Sequence, residues 1–282
     1  MAQSDLLCAN LALRLMGSRL TLTALSDTSV EGLACNAMIE DCKRALLRMH
    51  AWNFAVKRKK LVTFPQYAVS NVTFVSSELI EVTHASVTYT TGQYVTLRGI
   101  QGATRANGTW EIASTPAATT TRLTAIDVTT SDLLGTYTAS DSDYIRRTPA
   151  FEYSYLFALP SDYIRMIDLD KTRHNVPWVL ENGFILSNAT NVEIRYIYDV
   201  TDYTTMDASF YQTLAHYLAY NLCDHLSASD AKKNELHAYL YGGQGKKGAL
   251  QQARFLDSTE ASVETAQADD WVLSRLVSPT AI

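Results

Sequence analysis

Several things are scarce in these 282 residues. There are four cysteines, six prolines and twelve glycines, and only 19% of residues are charged. Cys8, Cys35, Cys42 and Cys223 form no C-x-x-C pair. They therefore read as reduced, buried residues rather than a disulfide framework or a zinc site. No run of 18 apolar residues occurs, which argues against a spanning helix and a membrane partner. The opening MAQSDLLCANLALRLMG lacks a basic n-region and carries Asp5, so it is expected to be a helix and not a secretory signal. Net charge is −5, with no hint of the basic face that tight nucleic-acid binding requires. G-x-S-x-G, H-E-x-x-H and G-x-x-x-x-G-K-[ST] are all missing. The six histidines show no zinc-site spacing, so neither metal nor cofactor is expected.

What is present divides by composition. Apolar residues make up 47%, enough for a packed core, and the length suggests roughly two domains. In residues 5–16, Leu7, Leu11 and Leu15 recur every four positions and Gly17 follows, which predicts a short helix. Thr28 with Glu31 reads as a capping box. Beyond it Cys35, Ile39, Cys42, Leu46 and Met49 make one apolar stripe to about His50. The basic run Lys57-Arg58-Lys59-Lys60 then reads as the solvated end of that helix, or as a contact to DNA or an acidic partner.

The character then changes. No lysine occurs between residues 61 and 170, while threonine occurs 17 times between residues 83 and 148. Period-two alternation in ELIEVTH, YVTLRGI, TWEIAS and TRLTAIDV predicts five or so short strands over 70–148. Asn107-Gly108 and Asn182-Gly183 are hairpin signals. Helical spacing returns with Phe210, Leu214, Leu218 and Leu222, capped by Asp207 or Ser209. Ser229 is expected to cap a last helix from Asp230 to about Ser262. GGQGKKG at 242–248 should kink or break it, since each glycine costs about 1 kcal/mol. The expected fold is α+β: a discontinuous helical-bundle core (1–69 and 149–265) with a β-hairpin and strand region, an inserted all-β module (70–148), and a C-terminal tail (266–282).

Three segments, AWNFAVKRKKL (51–61), LPSDYIRMIDLD (159–170) and VPWVLENGFILSNATNVEIRYIYDVTDYTTMDASFYQTLAHYLAYNL (176–222), together with QQARFLDSTEASVE (251–264), carry a family likeness. The pattern resembles the tail tubular protein A and head-to-tail adaptor family of short-tailed bacteriophages, over roughly residues 1–67 and 150–265. YVTLRGIQGATRANGTWEIAS separately resembles the FCCH-type β module of ubiquitin-activating enzymes, which some such adaptors carry. The resemblance implies a structural protein without enzymatic activity, made in the host cytoplasm and located at the head-tail junction of a virion. It implies a homo-oligomeric ring of twelve that binds the portal protein above and a tail or nozzle protein below, with genomic DNA passing through. It places portal docking on Trp271, Leu273, Leu276 and Val277. Lys57, Arg58, Lys59 and Lys60 become candidates for the DNA channel or the portal. Tyr217 and Tyr220, flanking the Leu214–Leu218 stripe, become candidates for subunit contact. Two other readings stand beside it: a receptor- or carbohydrate-binding tail protein using the β module and Trp110, and a peptidoglycan hydrolase using carboxylates among Asp168, Asp170, Glu181 and Glu193.

Overall fold

A computed structural model describes residues 3–169, 177–226, 229–243 and 246–260. Its helices are α1 (Asp5–Met16), α2 (Val30–Met49), α3 (Ser131–Leu134), α4 (Ala208–Leu226), α5 (Asp230–Tyr241) and α6 (Ala249–Thr259). Its longer strands are β1 (Val56–Val62), β2 (Tyr67–Ser76), β3 (Leu79–His84), β4 (Tyr94–Arg98), β5 (Gly108–Ala117), β6 (Thr120–Thr124), β7 (Tyr144–Thr148), β8 (Tyr155–Ala158), β9 (Tyr163–Leu169), β10 (Trp178–Glu181), β11 (Phe184–Ser187) and β12 (Asn191–Tyr198). The chain is mixed α+β. It divides into two compact units, one made of Met1–Val56 with Ile197–Ile282 and the other of Lys57–Tyr196.

The first unit is a helical bundle built on α4. Phe210, Leu214, Leu218 and Leu222 are all buried, and α1, α2, α5 and α6 pack around them. The helix ends follow from local chemistry. Ser4 Oγ accepts the Leu7 amide at the start of α1, and Gly17, at φ 90°, returns its amide to the Arg14 and Leu13 carbonyls. A residue with a side chain is strained at that φ, so the glycine is the stop signal. At α2 the cap is Ser29, whose Oγ accepts from Gly32 N, and not the expected Thr28. Asp207 caps α4 through the Ser209 and Phe210 amides, and Ser229 caps α5. The expected break at 242–248 is present: Gly242 and Gly243 pair with Lys247 and Lys246 in a small ladder between α5 and α6.

After Met49 the chain leaves the helix and anchors itself. Trp52 is fully buried, donates from Nε1 to the Leu46 carbonyl at 2.9 Å, and meets Phe210 edge-on at 4.9 Å. Asp257 of α6, nearly buried, accepts from the Asn53 amide at 2.9 Å and pairs with His50 Nε2 at 2.9 Å. Residues from both ends of the chain therefore share one core.

The second unit contains a barrel and two three-stranded sheets. The barrel runs β2-β3-β6-β5-β4-β7, antiparallel throughout, so the β module has six strands where about five are expected. It spans Tyr67–Thr148, and Val72, Ile80, Val82, Val95, Leu97, Ile112, Leu123 and Ile145 fill it. The alternation visible in the sequence is the inward set of this barrel. Asn107-Gly108 is not a hairpin turn. Asn107 instead stitches a loop: Oδ1 accepts the Ile100 amide, and Nδ2 donates to the Ile100 and Thr104 carbonyls. Gly108 opens β5 under the Trp110 ring, where a Cβ would come within 2.8 Å of it. Asn182-Gly183 is a true two-residue turn, with φ of 46° and 78°, joining β10 to β11. The two sheets are ordered β1-β12-β9 and β10-β11-β8.

Candidate interaction surfaces

The basic run does not end a helix. Lys57, Arg58, Lys59 and Lys60 lie in β1, an edge strand, and all four are exposed. The helical dipole therefore has no part in their placement. Lys57 Nζ donates to Asp162 Oδ2 at 2.7 Å, and Lys60 Nζ lies 3.6 Å from Glu193. Burial alone would raise the Asp162 carboxyl. The hydrogen bonds from Lys57 and the Tyr196 hydroxyl outweigh it and hold the pKa below the usual range. Arg58 and Lys59 have no carboxylate partner among the described residues. Lys57 is thus paired at close range, and Lys60 only loosely. Four consecutive cations on an edge strand also deter unwanted strand pairing.

Tyr217 and Tyr220 are both half-buried on α4. Tyr220 is occupied within its own unit: His237 lies at 5.8 Å, Tyr241 at 6.4 Å, and Lys233 Nζ sits 5.6 Å over its ring. One turn earlier His216 stacks on Tyr239 at 4.0 Å, and burial lowers the imidazole pKa. The aromatic strip continues outward through Tyr239 and Tyr241, which are 50% and 39% exposed. Sequence spacing on α4 alone pointed to Tyr217 and Tyr220, whereas the exposed rings belong to α5.

Two apolar patches lie on this unit. One is Val30 and Leu33 at the start of α2, exposed by 71% and 58%. The other is Phe255 and Leu256 on α6, exposed by 59% and 55%. The His50–Asp257 pair sets the second patch beside the far end of α2. Twenty helical residues rise about 30 Å, so the two patches stand at opposite ends of the bundle. Trp271, Leu273, Leu276 and Val277 lie outside the described residues.

Sequence reading missed a charged group in the core. Lys43 is 1% exposed, with Nζ 2.6 Å from Glu40 and 3.5 Å from Asp199 Oδ1. Arg44 Nε donates to Asp199 Oδ2 at 2.8 Å, and the Tyr203 hydroxyl donates to Glu40. The available signal was Lys43 itself, which falls four residues after Ile39 on the apolar stripe.

The carboxylates of the hydrolase reading sit on three different strands. Asp168 lies 3.9 Å from Arg195 on β12, Glu193 faces Lys60, and Glu181 is exposed at the β10–β11 turn. None of these three is buried, and Asp170 lies outside the described residues. Trp110 offers no sugar platform: it is 8% exposed, and its Nε1 donates to the Ala106 carbonyl at 2.7 Å. Among the described residues, no group of three His, Cys, Asp or Glu is placed to hold a metal ion, and no helix is long and apolar enough to cross a membrane. All four cysteines are buried thiols outside any disulfide. Burial pushes the Cys8 thiol up to about 12, and those of Cys35 and Cys42 up to about 11.

A scan against protein-family models finds no match to this chain. A search of curated proteins finds none either.

Proposed function

We propose that this chain is the subunit of a head-to-tail connector, a ring that joins a capsid portal to a tail and surrounds the path of the DNA. The observation that carries this reading is the pair of unlike apolar patches, Val30-Leu33 and Phe255-Leu256, at opposite ends of one small bundle. A two-fold dimer needs one self-complementary patch. Two different patches on one body suit head-to-tail contacts, which close into a ring when the rotation closes. The exposed tyrosines of α5 add the residue type enriched in such interfaces. One unit is inserted between two stretches of another, as the likeness implies, but the inserted unit is Lys57–Tyr196, so the strands of 57–67 and 150–196, expected in the discontinuous core of 1–69 and 149–265, fall with the barrel instead. A net charge of −5 and the internal pairing of Lys57 and Lys60 suit a channel that passes DNA without gripping it.

The test is the mass of the assembly formed with the cognate portal ring, measured by native mass spectrometry. A discrete complex with about twelve copies, lost in Leu33→Asp and in Phe255→Asp, supports the reading. Both positions are exposed, so both variants should keep their melting temperatures. No complex at micromolar concentration with folded wild-type protein overturns it.

A further inference from the structure

Arg147 is a half-buried cation without a counter-charge. It lies on β7 opposite Val95, on the same face as the core residue Ile145, since side chains alternate along a strand. Its guanidinium carbon sits 4.9 Å from the Phe64 ring and 4.5 Å from the Phe184 ring, and the two rings stand 6.0 Å apart. Phe64 comes from the link between β1 and β2, and Phe184 opens β11 just after the Asn182-Gly183 turn. Two cation–π contacts therefore fix the group in place. They satisfy none of its five in-plane N–H donors.

No acceptor for those donors is present among the described residues. Arg44, Arg122 and Arg195 each have a carboxylate, from Asp199, Glu81 and Asp168. Arg147 has none, and no hydrogen bond. Burial lowers its pKa with no neighbouring charge opposing the shift, whereas Asp199 raises that of Arg44. The adjoining Arg146, 7% exposed, also lacks a carboxylate: its Nη2 donates to the Ser154 carbonyl, and its Nε has no acceptor. Two neighbouring guanidiniums thus stand uncompensated in a chain whose net charge is −5.

Arg147 borders an open cavity of about 250 Å³ within the second unit. Pro149, Leu156, Phe184 and Leu186 give it apolar walls. Gln93 adds a donor: its Oε1 accepts the Thr90 amide, and its Nε2 has no partner among the described residues. The cavity's one carboxylate, Glu181, is exposed and makes no ion pair with Arg147. An exposed carboxylate gains little by leaving water for such a pair. We infer that this cavity binds a small organic acid, whose carboxylate takes two parallel N–H groups of Arg147 and whose apolar body lies against Leu156 and Leu186. A planar fork matched to a carboxylate is the geometry arginine favours. The volume falls below the roughly 300–1,000 Å³ that drug-sized ligands occupy, so the acid is small. This inference does not rest on the connector reading, since every residue it uses lies in the second unit.

The test is a titration of the full-length, nitrogen-15-labelled chain, following the arginine Nε–H resonances by NMR. The peak missing in Arg147→Lys identifies Arg147. Isovalerate should shift that peak saturably, with a Kd below about 10 mM, and isoamyl alcohol, its neutral analogue, should not. Arg147→Gln should weaken isovalerate roughly tenfold. Arg147→Lys should weaken it less, keeping the charge and losing the fork. Glu181→Gln, at an exposed turn, should tighten it about threefold with the melting temperature unchanged, because a repelling charge leaves the rim. That variant keeps the test decisive if Arg147→Gln does not fold. Four results overturn the inference: no saturable shift, an equal shift with isoamyl alcohol, inorganic phosphate binding as tightly as isovalerate, or weaker binding in Glu181→Gln.

Discussion

Removing the two sides of the Lys43–Asp199 contact should have unequal consequences. Lys43 is 1% exposed, so its ammonium is poorly hydrated when a partner is lost. Breaking a buried pair from one side typically costs about 3–5 kcal/mol. In Asp199→Ala, Lys43 keeps Glu40 at 2.6 Å, but Glu40 is 47% exposed and screened. The net cost is then about 2–3 kcal/mol. In Lys43→Met the buried charge itself disappears. Asp199 keeps Arg44 at 2.8 Å, Glu40 can hydrate, and the methionine fills the same channel. That change should cost about 1 kcal/mol or less. The double variant should be more stable than Asp199→Ala alone, because the buried cation, left with Glu40 as its one carboxylate, is gone. Among the described residues, every α-helix but the four-residue α3 belongs to the first unit, so urea unfolding followed by circular dichroism at the helix band reads this unit. With a slope of about 2 kcal/mol/M, Asp199→Ala should move the midpoint by roughly 1–1.5 M. A Lys43→Met variant less stable than Asp199→Ala would refute the argument that the buried cation dominates.

Other outcomes follow from the barrel. His84 is 3% exposed; its Nδ1 lies 2.8 Å from the Ala85 carbonyl and its Nε2 2.8 Å from Thr121 Oγ1, so Nδ1 carries the proton and Nε2 accepts from Thr121. Burial lowers its pKa below the ordinary 6.5, so the unfolded chain binds the extra proton first as pH falls. Barrel stability should be full above that value and decline below it, and His84→Gln should flatten the decline in amide-exchange measurements between pH 7.5 and about 5. Asn107→Ala removes three hydrogen bonds from the loop between β4 and β5 and should cost about 2 kcal/mol. Asn107→Asp keeps the acceptor for Ile100 N and should lie between, by the same exchange measurement.

Local signals were legible where one residue determines the geometry by itself. Gly17 stops α1 because its φ is positive, Ser229 caps α5 with one hydroxyl, and Asn182-Gly183 suits a two-residue turn. The four-residue repeat of α4 was legible because each repeat position is buried. Misreadings arose where tertiary context decides. Lys57–Lys60 gives no helical or strand period of its own, and β1 forms because β12, more than a hundred residues later, supplies its ladder. Asn107-Gly108 has the composition of a tight turn, yet the asparagine side chain is drawn to Ile100 by the loop around it. The buried Lys43 was hidden because its partner Asp199 lies in a distant segment.

The divided first unit also has a consequence during synthesis. α1 and α2 emerge early with Leu13, Ile39 and Leu46 ready for burial, but their main partner α4 ends at Leu226. At about 5–20 residues per second, the two helices wait roughly 10 to 35 s for it. The barrel, complete at Thr148, needs nothing later to close and can fold in that interval. A nascent chain therefore carries a finished β module while its first two helices remain adhesive. A chaperone that retains the N-terminal fifty residues would matter more to the yield of this protein than one acting on its middle.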